Sequence, residues 1–259
     1  MAKVIANSQI GPELFRLEVK EEKAAREAQP GQFCHFSVRK KESWDPLLRR
    51  PFSIYSADED RSILTFVYQV RGRGTKIMTT FRPGDTIDFL GPLGSGFTTD
   101  ISRQKVVLLG GGLGIIPLYF LTSQLVKENE LYLFLGAQNS EQIQVLSADF
   151  KNLDFNLKLA SEDGLTGFAG TAVELLQKFL SSEEIDIDWL VSCGPDPMLE
   201  KIQKIMAAQN IAGEFSLEER MACGTGVCLS CVCSTSKGNK RVCHEGPVFS
   251  SQEVIFSNG

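Results

Sequence analysis

Five of the chain's seven cysteines fall in one C-terminal stretch: Cys223, Cys228, Cys231 and Cys233 in MACGTGVCLSCVC, then Cys243 in KRVCHEG. Clustered thiols serve disulfides, zinc or iron–sulfur chemistry. The odd count, together with an amino terminus (MAKVIANSQIGPE) that lacks a basic segment followed by an apolar run, points to a cytoplasmic, reducing setting in which thiols act as metal ligands. The spacing of the first three, C-x4-C-x2-C, is that of plant-type [2Fe–2S] loops. Gly224 and Gly226 let such a loop wrap inorganic sulfide and aim amides at it. Tetrahedral zinc would use the same kind of ligand. Zinc ribbons, however, pair two short C-x2-C knuckles, and Cys243 has no near second cysteine. Cys231 and Cys233, one residue apart, make a poor chelating pair. On the thiols alone both metals remain open.

Four other phrases could bind anions or nucleotides. LLGGGLGIIP sets Gly110, Gly111, Gly112 and Gly114 between a strand and a helix, where bare backbone admits a phosphate. It is not a full G-x-G-x-x-G, because Pro117 stands where the third glycine would be, and no acidic residue ends ELYLFLGAQ to hold a ribose. CGPDPM places Cys193, Gly194 and Pro195 at the end of a later strand, the edge where open α/β sheets bind ligands. RRPFSIYS offers Arg49, Arg50 and Ser53 beside Phe52 and Tyr55, and YQVRGRGTK ends a strand in Gly72-Arg73-Gly74-Thr75. Taken singly, each also reads as an ordinary turn or strand. The only histidines, His35 and His244, sit in no catalytic pattern, and His244 reads as a solvated loop residue.

The elements that must position these residues fall into three regions. Up to about Asp88 the chain runs in short β-rich segments (LFRLEV, GQFCHFSV, FSIYS, ILTFVYQV, DTIDFL) separated by Pro-Gly turns, the pattern of a small antiparallel barrel or sandwich. From Lys105 strands alternate with helices, which predicts a parallel sheet covered on both faces. The last helix is expected over PMLEKIQKIMAAQN, capped by Asp196, with Pro197 at its first position. After Gly213 the periodicity fails and aliphatic residues become too few for an independent core, so a metal is expected to organise the tail. The resulting fold class is β-barrel plus α/β, with domains expected at 1–98, 99–212 and 213–259.

In this order the phrases resemble the ferredoxin–NADP reductase superfamily over essentially the whole chain. Arg50-Pro51-Phe52-Ser53 resembles its flavin motif R-x-[YF]-S and Gly72-Arg73-Gly74-Thr75 its second phosphate loop. GPLGSGF, GGGLGIIP and CGPDPM resemble its interdomain and nicotinamide segments. With the tail included, the chain is similar to the electron-transfer subunits of class 1B dihydroorotate dehydrogenase. That resemblance implies FAD, NAD and a [2Fe–2S] cluster held by Cys223, Cys228, Cys231 and Cys243, with Cys233 a bystander. It further implies Arg50, Ser53, Gly74 and Thr75 on the FAD phosphate, with Pro51 and Phe52 in the same motif. Val67, Tyr68, Gln69 and Val70 would line the flavin ring, while Gly111, Gly112 and Gly114 admit NAD. Cys193, Gly194 and Pro195 would lie near the nicotinamide. The implied partner is an FMN-containing dihydroorotate dehydrogenase catalytic subunit, two of each chain forming a heterotetramer in pyrimidine biosynthesis. Homologous subunits of a ferredoxin–NADP transhydrogenase, a sulfide dehydrogenase or a hydrogenase share the same build and stay open as alternatives. From a different class, so does a zinc-stabilised nucleotide-binding regulator.

The bulk numbers exclude other classes. With 259 residues, 42% hydrophobic and 23% charged, the chain is long enough for two or more domains. A net charge of −5 without a Lys/Arg cluster argues against nucleic acid. The uncharged stretch 106–126 is interrupted by glycines and reads as strand, turn and buried helix rather than a membrane span.

Overall fold

The computed structural model describes residues 1–39, 43–182 and 185–256. The chain divides into two compact units: residues 1–96 with 218–232 and 240–247, and residues 97–217 with 233–239 and 248–259.

The first unit is antiparallel β structure. Strands β1 (Ala2–Gly11), β2 (Leu14–Lys20), β5 (Ser56–Asp58), β6 (Ile63–Gln69) and β7 (Thr86–Ile87) form one sheet in the order β5-β6-β2-β1-β7. A second sheet runs β4-β3-β8, from β3 (Phe33–Phe36), β4 (Arg50–Ser53) and β8 (Phe89–Leu93). Two short helices, α1 (Glu22–Glu27) and α2 (Arg73–Met78), join strands. The period-2 alternation of β3 puts Phe36 into the barrel core, where its ring meets Phe66 at 4.8 Å, Phe89 at 5.5 Å and Phe52 at 5.7 Å. Each such pair adds about 0.5–1.5 kcal/mol beyond simple burial. Every residue of β3 is nonetheless buried, so its other face is covered too.

The second unit is built on one seven-stranded sheet. Its strands are β9 (Lys105–Gly111), β10 (Glu130–Ala137), β11 (Asn156–Ser161), β12 (Phe168–Ala169), β13 (Trp189–Cys193), β14 (Ala212–Ser216) and β17 (Val248–Ser250), ordered β12-β11-β10-β9-β13-β14-β17. All neighbours are parallel except β14 with β17. Helices α3 (Ile116–Leu125), α4 (Ser140–Ser147), α5 (Ala172–Ser182) and α6 (Asp196–Gln209) connect them. The stretch 106–126 is therefore strand, glycine turn and helix, and no helix among the described residues is long and apolar enough to cross a membrane.

Two details differ from expectation. Asp196 is the first residue of α6 rather than its cap, a place taken by Pro195, so Pro197 stands at the second position. Its carboxylate still lies in the first turn, where the helix dipole favours it. The tail expected as a separate domain, 213–259, is shared between the units, and the boundary at 212 falls at the start of β14. Residues 218–232 and 240–247 cluster with the barrel strands, whereas β17 extends the parallel sheet and Gln203 on α6 donates to the Ser251 and Val254 carbonyls at 2.6 and 2.8 Å. Too poor in aliphatic residues for a core of its own, the tail uses existing ones. Strands β15 (Val232–Thr235) and β16 (Gly238–Arg241) form its hairpin.

Candidate redox sites

The four thiols at C-x4-C-x2-C…C lie together: Cys223 neighbours Cys228, the Cys243 amide donates to Cys231 Sγ at 3.4 Å, and both Cys223 and Cys231 act electrostatically on Cys243. Cys231 and Cys243 are buried, Cys228 is exposed and Cys223 is half-buried. Among the described residues no three His, Cys, Asp or Glu side chains form a group for a single metal ion. Four thiols at this spacing fit a binuclear cluster, in which each iron takes two thiolates.

Backbone amides point at the sulfurs: Thr225 N–H at Cys223 Sγ (3.4 Å), Gly226 N–H at Cys243 Sγ (3.1 Å) and Cys243 N–H at Cys231 Sγ (3.4 Å). Donors of this kind favour thiolate over thiol and stabilise added negative charge on a cluster. The amides of Thr225 and Cys228 bring the Cys223 thiol down to about 5. A hydrogen bond with Ser230 Oγ, at 3.2 Å, lowers Cys228. Burial and the neighbouring Cys231 push Cys243 up to about 12, a group that would ionise only with a metal to bind. Gly224 and Gly226 both take the left-handed conformation, with φ of 69° and 81°.

Side chains that carried no sequence signal hold this loop. Arg241 donates to the Gly226 carbonyl at 2.7 Å and pairs with Glu245, drawing that carboxyl down to about 2. Ser230 accepts from the Ala222 amide at 3.1 Å. Their only trace in the sequence is local spacing: Arg241 and Glu245 are four apart, and Ser230 lies two after Cys228. Cys233 lies in β15, half-buried.

In the barrel, the two flavin-type phrases come together. A Cβ on Gly74 would stand 2.7 Å from Val38 Cγ2, so glycine lets the loop lie against Val38, and at 3.7 Å from Arg50 Cγ it is in ordinary contact with the Arg50 stem. The Arg50 guanidinium donates to the Leu48 and Arg49 carbonyls. Arg49, its equal in the sequence, is structural: it pairs with Asp88 and donates to the His35 and Asp88 carbonyls at 3.3 and 3.2 Å. Thr75 Oγ accepts from the Arg71 and Gly72 amides at 3.0 and 3.1 Å and so closes the loop on itself, leaving open space beside Gly72. Pro51, Phe52 and Ser53 lie on β4. Val67, Tyr68 and Gln69 end β6, followed by Val70, whose amide donates to the Glu13 carbonyl. The Tyr68 hydroxyl donates to Asn7 Oδ1 at 3.1 Å, and burial raises it to about 12. Cys34 is plain buried sulfur, its thiol pushed up by burial and packed where a Gly91 Cβ would be.

In the α/β unit the glycine turn and the CGPDPM turn meet. Strand β9 is flanked by β10 on one side and β13 on the other, so the chain order reverses there, and this switch point is where open α/β sheets bind nucleotides. The glycines divide their roles. A Cβ on Gly114 would overlap the Cys193 carbonyl oxygen and stand 2.6 Å from its carbon. One on Gly111 would meet Met198 Sδ at 2.6 Å, against which Gly194 also packs. Gly112 takes φ +54° with nothing nearer than Gln142 Nε2 at 4.0 Å, leaving its backbone open to a ligand. Cys193 itself is 1% exposed, and Pro195 caps α6.

Barrel, switch-point turn and clustered thiols together define a flavin- and iron–sulfur-containing reductase of the ferredoxin–NADP reductase fold. Residues 2–97 match the family model of the oxidoreductase FAD-binding domain, and residues 218–255 match the iron–sulfur cluster binding domain of dihydroorotate dehydrogenase B. Over 98% of its length the chain is 38% identical to the dihydroorotate dehydrogenase B (NAD(+)) electron transfer subunit of Desulforamulus reducens, 97% of which is covered. With the subunit of the same name from Caldanaerobacter subterraneus subsp. tengcongensis the identity is 35%, covering 98% of each. The chain belongs to the dihydroorotate dehydrogenase B electron transfer subunit family. Among solved structures, one of an NADH-dependent reduced ferredoxin–NADP oxidoreductase, reported for flavin-based electron bifurcation, superposes with a TM-score of 0.85 at 25% identity, covering 98% of this chain and 90% of that one. A ferredoxin NADP+ reductase from Neisseria gonorrhoeae with bound FAD and NADP shares the fold at a TM-score of 0.65 and 17% identity, covering 80% and 90%.

Proposed function

We propose that the chain is the electron-transfer subunit of an NAD-linked dihydroorotate dehydrogenase. In this reading electrons leave dihydroorotate at an FMN-containing catalytic subunit and pass through a [2Fe–2S] cluster and FAD to NAD+, a step of pyrimidine biosynthesis. The observation that carries it is the set of backbone amides aimed at the sulfurs of Cys223, Cys231 and Cys243, in a chain matched over 98% of its length by a subunit of that name. A cluster carries single electrons, a nicotinamide takes a hydride, and a flavin handles both, which explains why one chain would hold all three.

The chain's own residues bind and orient. Cys223, Cys228, Cys231 and Cys243 would hold the cluster, and Cys233 is dispensable. Arg50 and Ser53 bind FAD phosphate, and Gly74 and Thr75 shape the loop that presents amides to it. Pro51 and Phe52 fix that strand, while Val67, Tyr68, Gln69 and Val70 line the flavin through backbone groups. Gly112 receives NAD, Gly111 and Gly114 let the turn close, and Gly194, Pro195 and Cys193 stand at the nicotinamide end. No side chain acts as acid or base. Exposed Cys228, flanked by exposed Val227 and Leu229, marks the side that approaches the catalytic subunit, in an assembly of two chains of each kind. A reducing, cytoplasmic setting, which keeps the ligand thiols available to a metal, completes this reading.

The test is purification with whatever co-elutes, followed by assay of iron, flavin and dihydroorotate-dependent NAD+ reduction. An FMN subunit oxidising dihydroorotate is the expected companion. The 0.85 superposition favours one alternative, a ferredoxin-linked reductase subunit. Ferredoxin-dependent nicotinamide reduction without dihydroorotate activity would replace the first reading with that one.

A further inference from the structure

His35 is 0% exposed, and neither ring nitrogen has a hydrogen-bond partner. Leaving a buried polar group unsatisfied is costly, and an aliphatic side chain would fill the space without that cost. Its surroundings supply a reason for the imidazole. Along β3 its neighbour Phe36 faces the aromatic core, so the ring of His35 lies on the opposite face. There it meets the cluster loop. A Cβ on Gly224 would overlap His35 Nδ1 and stand 3.0 Å from Cγ and Cε1. The backbones of Cys223 and Arg49 also face the ring, in geometry that falls short of a hydrogen bond. Through its own backbone, His35 sits opposite Pro51 of Arg50-Pro51-Phe52-Ser53 on one side and Leu90 on the other. One side chain thus joins the strand beside the flavin motif to the turn that follows the first cluster thiol.

We propose that His35 is a positioning residue that ties the flavin-motif sheet to the Cys223–Gly224 turn and thereby sets the geometry and reduction potential of the iron–sulfur centre. The inference rests on Cys223 being a ligand, which Cys223→Ser tests separately by iron content. Reduction adds negative charge to a cluster, and a polar ring packed on its loop favours that charge more than an aliphatic group does.

The experiment uses the full chain purified as holoprotein, with FAD and iron quantified per chain. His35→Leu is expected to keep FAD, shift the electron paramagnetic resonance signal of the reduced cluster and lower its midpoint potential. His35→Gln, which restores a polar donor, is expected to lie nearer the wild type in both. A His35→Leu protein with wild-type signal and potential overturns the proposal. A second arm serves if His35→Leu fails to fold. Gly224→Ala, whose methyl would meet the His35 ring, should shift the electron paramagnetic resonance signal of the reduced cluster, and His35→Gln in the same background should reduce that shift. An equal shift in both backgrounds overturns the proposal.

Discussion

The glycine turn at 111–114 and the cluster loop at 223–231 are both short, glycine-rich and central to a site, yet they are held by different means. In the turn, glycines are pinned by backbone and by Met198: Gly114 against the Cys193 carbonyl, Gly111 and Gly194 against the Met198 thioether. In the loop they are pinned by polar side chains, His35 against Gly224 and His244 against Gly226, with Arg241 on the Gly226 carbonyl. The turn is framed by a strand and a helix that bury their own apolar faces. The loop lacks regular elements of its own; its shape comes from hydrogen bonds and from side chains packed on its glycines. Sheet packing supports the one and polar side chains the other.

The largest test of this contrast is removal of a buried thiol. Cys231→Ser should abolish the cluster, with iron and the visible iron–sulfur bands falling to background, while the α/β unit keeps its affinity for NADH. Loss of NADH binding as well would mean that the two regions are not independently supported. Next comes the inequality within the loop. In iron-free protein at pH 7, limited iodoacetamide should modify Cys223 many times faster than Cys243, as read by peptide mass spectrometry, since one thiol is lowered to about 5 and the other raised to about 12. The sign follows from the shift. A thiol lowered below its usual value of 9 stabilises the fold above that value and loses the contribution as pH falls through about 5, so Cys223 labelling should persist to pH 6 and fade below 5.

In the turn, Gly114→Ala forces a methyl into the Cys193 backbone and should cost about 2–3 kcal/mol in denaturant unfolding of the α/β unit. Gly112→Ala meets no neighbour and only the left-handed strain, about 1 kcal/mol. It should weaken NADH binding more than it weakens the fold, which titration alongside unfolding would separate. Equal stability losses would deny the division of roles between the two glycines. Smallest of all is Cys233→Ser, expected to retain full iron and an unchanged spectrum; loss of the cluster would move the ligand set.

Much of this architecture was legible in the residues, and the misses share a cause. Alternation of apolar residues along ILTFVYQV and the 3.6 period of PMLEKIQKIMAAQN are local signals, and both elements form where the pattern places them. The tail defied reading because its order is borrowed. Its strand β17 carries no period of its own and exists as a partner for β14. Arg49 and Arg50 look equivalent in RRPFS, and only the position of Asp88 on the far side of β3 makes one of them structural.

By itself, the sequence determined which chemistry was available: thiols at ligand spacing, glycines where phosphate could approach, an arginine–serine phrase on a strand. Those are matters of residue type and of separation along the chain, which covalent geometry preserves. The tertiary structure alone decided which thiols are buried, which glycine is open and which closed, and that a buried histidine lies between the flavin-motif strand and the cluster loop. These depend on groups brought together from positions as far apart as His35 and Gly224, whose proximity comes from packing and hydrogen bonding and leaves no trace in local spacing.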